Sequence, residues 1–168
     1  MRRKTVVALA AVLLGLVAAV MPAGASTATA SSTAVSIRNA ASEDCLRQLY
    51  GRTNQPTTTV WAVDACTYAG EQLWRFEFVG GDTYRVVNNR TGWCLSAPNG
   101  PGSEVFAEYC VSPLPDKQKW TPVWTAYGDN VLISVLSGEC MSQEPDLTLW
   151  VRYFYADGYT PGIHWVWS

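Results

Sequence analysis

The chain has few of the residues on which hydrolytic or metal chemistry is usually built. Among 168 residues there is one histidine, His164, and five cysteines. No two cysteines form a C-x-x-C pair, so the ligand spacing of a structural zinc site is missing. Neither a G-x-S-x-G elbow nor an H-E-x-x-H motif occurs. The fourteen carboxylates are scattered rather than paired, and Cys140 has no evident activating base. The expectation is a protein that is not an enzyme and uses no metal and no cofactor, with His164 structural or at the surface.

Charge is also scarce, at 15% of residues, and its basic part is unevenly placed. Arg2, Arg3 and Lys4 precede the single long apolar run, residues 6–20, which ends at Pro22 and Ala23-Gly24-Ala25. A run this short does not reach the roughly 20 residues of a spanning helix. With its basic flank and A-x-A step it reads as a secretory signal over residues 1–25, cut after Ala25, with Ala30 as the alternative point. Without it, nine basic residues face fourteen acidic ones, a net charge of −5. Such a chain lacks the positive footprint of a nucleic-acid or anionic-membrane binder. Residues 26–33 (STATASST) are too polar and simple to pack and read as a disordered tether. Residues 34–168 suit one secreted domain, and all five cysteines fall within it, as an oxidising compartment favours.

No stretch of that domain sustains a helical apolar period. Instead, four markers recur three times in the same order. Gln72-Leu73-Trp74 returns as Gln118-Lys119-Trp120 and, degraded, as Ile163-His164-Trp165. Cys45-Leu46, Cys94-Leu95 and Cys140-Met141 keep the same beat. A β-patterned run precedes each cysteine: Val35-Ser36-Ile37, Tyr84-Arg85-Val86 and Val131-Leu132-Ile133. Another lies between cysteine and tryptophan: Trp61-Ala62-Val63-Asp64, Val105-Phe106-Ala107-Glu108 and Leu149-Trp150-Val151-Arg152. Each unit, about residues 34–79, 80–126 and 127–168, reads as four short strands between turn clusters. One unit alone leaves an apolar face open, so three must share a core around a common axis. The repeated tryptophans belong near that axis, with Phe76, Val123 and Trp167 on its floor.

These residues resemble the ricin B-type lectin domain, a β-trefoil with Q-x-W repeats, across nearly all of residues 35–168. The resemblance implies an all-β fold of three four-stranded repeats with pseudo-threefold symmetry. It also implies in-repeat disulfides Cys45–Cys66 and Cys94–Cys110. The third repeat has Phe154 in place of the second cysteine, which leaves Cys140 free or paired to a second molecule. The implied function is carbohydrate binding, but the family's contact positions are changed. Arg47, Ser96 and Ser142 stand where an Asp is usual. Asp64, Glu108 and Arg152 take the place of the aromatic platform, and Ala62, Phe106 and Trp150 that of a polar residue two positions earlier. The step before the motif tryptophan is Glu71-Gln72 and Lys117-Gln118.

Strand alternation offers a replacement site. Val105, Ala107 and Tyr109, like Leu149, Val151 and Tyr153, fall on one face, leaving Phe106 with Glu108 and Trp150 with Arg152 on the other. A flat aromatic beside a charged group suits a sugar, which has an apolar C–H face and a rim of hydroxyls. The expected ligand residues are Ser96, Phe106, Glu108, Gln118, Ser142, Trp150 and Arg152. The alternatives are that the aromatics merely cover the barrel, or that the Pro-rich loops 98–102 and 111–117 bind a protein. Asn89-Arg90-Thr91 fits an N-glycosylation acceptor.

Overall fold

A computed structural model of the chain describes residues 33–49, 57–63, 65–152 and 161–168. The expected signal, nearly all of the tether, Asp64, Tyr153 and Phe154 lie outside the described residues. The β-patterned runs form strands. In chain order these are β1 (Val35–Asn39), β2 (Cys45–Gln48), β3 (Thr57–Val63), β4 (Leu73–Gly80), β5 (Thr83–Asn88) and β6 (Cys94–Ser96). The others are β7 (Phe106–Glu108), β8 (Trp120–Trp124), β9 (Asn130–Ser134), β10 (Cys140–Gln143), β11 (Leu149–Arg152) and β12 (Trp165–Trp167). A single 3-10 turn, Gly70–Gln72, Asp116–Gln118 or Pro161–Ile163, leads into each strand that opens with a repeated tryptophan.

Antiparallel pairing closes six of these strands into a ring, β1 to β4 to β5 to β8 to β9 to β12 and back to β1. Closure leaves that ring without an exposed edge. The remaining strands form three hairpins, β2–β3, β6–β7 and β10–β11. The hairpins meet one another through β3–β7 pairing and the bridges Trp61↔Thr148 and Glu104↔Trp150, capping one end of the barrel. This is the all-β trefoil expected from the repeats.

Threefold-equivalent side chains fill the core. Trp74, Trp120 and Trp165 are fully buried, as are Ile37, Val86 and Leu132 and, from the hairpins, Leu46, Leu95 and Met141. Burying one such side chain contributes about 1.5–3 kcal/mol. Each indole N–H donates to a hairpin carbonyl, on Leu46, Leu95 and Met141 at 3.0, 2.9 and 3.0 Å, so the tryptophans tie barrel to cap. The turn before each first cysteine needs a left-handed residue, supplied by Gly92 and Gly138 and, at φ 67°, by Glu43 in the first repeat. The expected floor is corrected at one position. Pro122, two residues beyond Trp120, shares its inward phase, whereas Val123 faces outward and is 40% exposed.

Disulfides join Cys45 to Cys66 and Cys94 to Cys110. Cys140 is free and buried, packed with Val131, Ile163 and Ile133. Ile163, the residue in the motif-glutamine position, thus supplies an apolar neighbour to the cysteine that has no partner. Burial, with the nearby Glu139 charge, pushes the Cys140 thiol up to about 11. A buried, protonated thiol is poorly placed for the intermolecular disulfide considered from sequence.

Candidate functional site

Register across the hairpins defines the equivalent positions. Arg47 opposes Trp61, Ser96 opposes Phe106, and Ser142 opposes Trp150. Trp61 is therefore the first-repeat counterpart of Phe106 and Trp150, and Ala62 is not; Ala62 opposes Leu46, as Ala107 opposes Leu95. Counting back from the second cysteine hid this, because Cys66 lies three residues beyond Val63 whereas Cys110 lies two beyond Glu108. The signal was available in the aligned triplets Trp61-Ala62-Val63, Phe106-Ala107-Glu108 and Trp150-Val151-Arg152.

These three aromatics alternate with the buried Val60/Ala62, Val105/Ala107 and Leu149/Val151 and so point away from the core. Trp61 is 37% exposed, while Phe106 and Trp150 are half-buried. Each is paired with the residue two positions before the next aromatic: Phe106 with Thr59, Trp150 with Glu104, and Trp61 with Thr148. Paired and alternate residues share a face, which places the aromatics as diagonal neighbours, roughly 7–8 Å apart, around the axis of the cap.

The polar residues beside them differ from repeat to repeat. Opposite Trp61, Arg47 bridges the buried Glu71 at 3.5 Å, and Glu71 also bridges Arg90 at 3.1 Å. Next to Phe106, Glu108 accepts hydrogen bonds from Ser96 Oγ (2.7 Å), Gln118 Nε2 (2.9 Å) and Lys117 Nζ (3.1 Å). Burial raises the Glu108 carboxyl, but the bonds from Lys117, Ser96 and Gln118 outweigh it and hold the group below its usual range. In the third repeat the Arg152 guanidinium lies 4.7 Å from the Trp150 ring centre and bonds Glu144 at 3.0 Å. The Trp150 indole donates to Thr148 Oγ1 at 2.9 Å, and Thr148 in turn donates to Asp146 at 2.6 Å. These Thr148 bonds lower the Asp146 carboxyl, whereas burial, then Asp146, raises Glu104.

Burial corrects part of the expected ligand set. Ser96 and Gln118 are fully buried, Ser142 is 6% and Glu108 8% exposed, and the bonds of the first, second and fourth are spent inside the protein. Gln118 brackets Cys110, donating to Tyr109 O and accepting from Val111 N, as Gln72 brackets Cys66 through Ala65 O and Thr67 N. The motif glutamine therefore holds the second cysteine's strand exit. Tyr109 departs from its expected inward phase; it is 63% exposed and packs at a tilt against Trp93, with ring centres 4.5 Å apart. His164 is buried, with Nδ1 2.7 Å from Asp129 Oδ1, a structural contact. What remains accessible is Trp61, Phe106, Trp150 and Arg152. Among the described residues no cluster of His, Cys, Asp and Glu has the arrangement to hold a metal.

A trefoil of disulfide-stapled repeats with Q-x-W tryptophans and an aromatic cap is of the lectin-type trefoil class. The chain belongs to the family of the ricin-type β-trefoil lectin domain, whose pattern matches residues 33–153. No curated protein matches the chain. Among solved structures, the designed threefold-symmetric protein ThreeFoil is 19% identical, with TM-score 0.68, over 80% of this chain and 96% of that one. The Polyporus squamosus lectin, solved with a human-type influenza-binding epitope, is 19% identical, with TM-score 0.61, over 81% of this chain. The exo-β-1,3-galactanase 1,3Gal43A of Clostridium thermocellum is 20% identical, with TM-score 0.66, over 80% of this chain. The chain spans 48% of that lectin and 30% of that galactanase, and the likeness establishes the fold.

Proposed function

We propose that residues 34–168 form a secreted carbohydrate-binding module, released from the signal 1–25 and carried on the tether 26–33, that holds a glycan or polysaccharide weakly without acting on it. The observation that carries this reading is the threefold set Trp61, Phe106 and Trp150, facing outward around one axis of the cap. Each ring can stack on the C–H face of a pyranose, and Arg152 beside Trp150 can donate to ring hydroxyls. Membership of a lectin family, and the fold shared with the Polyporus lectin and the galactanase, support carbohydrate as the ligand class. Without a free acidic side chain at Ser96 or Ser142, a single site has only stacking and edge contacts. Millimolar affinity, about −4 kcal/mol, is the expected scale.

Affinity electrophoresis through gels containing plant, fungal or bacterial polysaccharides tests the reading. The wild-type protein is expected to be retarded by at least one polymer, and Trp150→Ala to lose most of that retardation with its circular dichroism unchanged. A protein retarded by none, together with a blank glycan array, would overturn carbohydrate binding and favour a trefoil that binds protein through its loops.

A further inference from the structure

The end of the barrel opposite the cap holds a cavity of about 430 Å³ on the pseudo-threefold axis. Two equivalent sets of inward positions form it. Val35, Tyr84 and Asn130 each lie two residues before a core position, Ile37, Val86 or Leu132; Phe76, Pro122 and Trp167 each lie two beyond a motif tryptophan. Strict symmetry would fill the layer evenly. Here Tyr84, Phe76 and Trp167 are large while Val35, Asn130 and Pro122 are small, and the deficit remains as open volume. Trp124, 69% exposed, stands at the mouth one strand step beyond Pro122.

A second observation concerns polarity. Asn130 is only 7% exposed and lines the cavity, and its carboxamide has no hydrogen-bond partner among the described residues. The amide atoms are not sealed from solvent, so a group entering the cavity can bond them in place of water. No charged residue lines the space; four of its lining residues, Phe76, Tyr84, Trp124 and Trp167, are aromatic, and Thr33 joins Asn130 as a polar neighbour. The volume is in the range of small-molecule sites.

We propose that this axial cavity is a second ligand site, separate from the cap, for a small uncharged molecule with a flat apolar ring and one hydrogen-bonding group. The ring lies among Phe76, Tyr84, Trp124 and Trp167, and the polar group meets the Asn130 amide. A sugar, with hydroxyls around its whole rim, finds too few polar partners here.

N-phenyl-1-naphthylamine, uncharged, with flat aromatic rings and a single N–H, is a suitable probe. Its fluorescence should rise saturably with one molecule bound per chain, and polysaccharide that retards the protein should leave it bound. Asn130→Phe, which supplies the ring present at Tyr84, should abolish saturable binding. Asn130→Val should weaken it about fivefold and Trp124→Ala about tenfold, which keeps the test decisive if the larger substitution fails to fold. Absence of saturable binding to the wild-type protein, equal binding by Asn130→Val and Trp124→Ala, or displacement of the probe by polysaccharide would each overturn the proposal.

Discussion

At the scale of single residues, Glu108 shows how a position can change its work within a repeated frame. It stands on the outward phase of β7, where the family resemblance places an aromatic platform, yet it is turned into a network with Ser96, Gln118 and Lys117. A carboxylate held by three donors is stabilising when ionised and costly to neutralise. Its folded-state pKa lies below the unfolded value, because the three donors favour the ionised form. The contribution is therefore complete above about pH 5 and fades as the pH falls through the folded pKa. Glu108→Gln should lower stability by about 1–3 kcal/mol at pH 7, read by urea unfolding. The gap between variant and wild type should narrow at acid pH; a gap that widened would contradict the network. Strand alternation alone marked Glu108 as outward-facing, and only the packing of the Asp116–Gln118 turn over it revealed its burial.

At the scale of elements, the third repeat is coherent in its departures. The glutamine that brackets a second cysteine in the first two repeats is replaced by Ile163, and the cysteine it would bracket is absent at Phe154. Ile163 instead packs on Cys140, so the loss of one staple is accompanied by a small apolar contact. The 3-10 turn Pro161–Ile163 is drawn close to β10. A Cβ on Gly162 would meet Gln143 O at 2.6 Å and Ser142 Oγ at 3.0 Å. Backbone oxygen at that distance has no easy retreat. Gly162→Ala should therefore destabilise the protein by about 1–3 kcal/mol, with the lowered Tm measured by calorimetry. Repeat spacing located this turn, but the reason for its glycine lies in β10, about twenty residues earlier, and is visible only in three dimensions.

At the scale of the whole molecule, the two ends of the trefoil are different surfaces. The cap presents Trp61, Phe106 and Trp150 as diagonal neighbours, while the opposite end opens on the axial cavity. Weak contacts arranged around one axis gain from joint engagement, and linkage raises avidity by about 10²–10⁴ where geometry allows. On the proposed function, replacing Trp61, Phe106 and Trp150 singly by Ala should each reduce retention on a polysaccharide gel. Replacing all three should reduce it by more than any single change. Retention that depended on one ring alone would point to a single binding repeat rather than a shared platform.

The sequence by itself determined three β-rich units sharing one core, because its markers are local and repeated: the motif tryptophans, the cysteine-leucine steps and the β-patterned runs recur in one order, and the same residues carry the resemblance that implied a trefoil. It also carried Phe106 and Trp150 as outward aromatics, since strand alternation has a period of two. Tertiary structure decided three things. It added Trp61, because the residue at position 64 lengthens the first repeat after β3 and shifts any count made from Cys66. It removed Ser96 and Gln118 from the accessible set, because burial depends on turns packed from elsewhere in the chain. It opened the axial cavity, because whether a layer is filled depends on the summed size of six side chains drawn from all three repeats, a quantity that no one repeat contains.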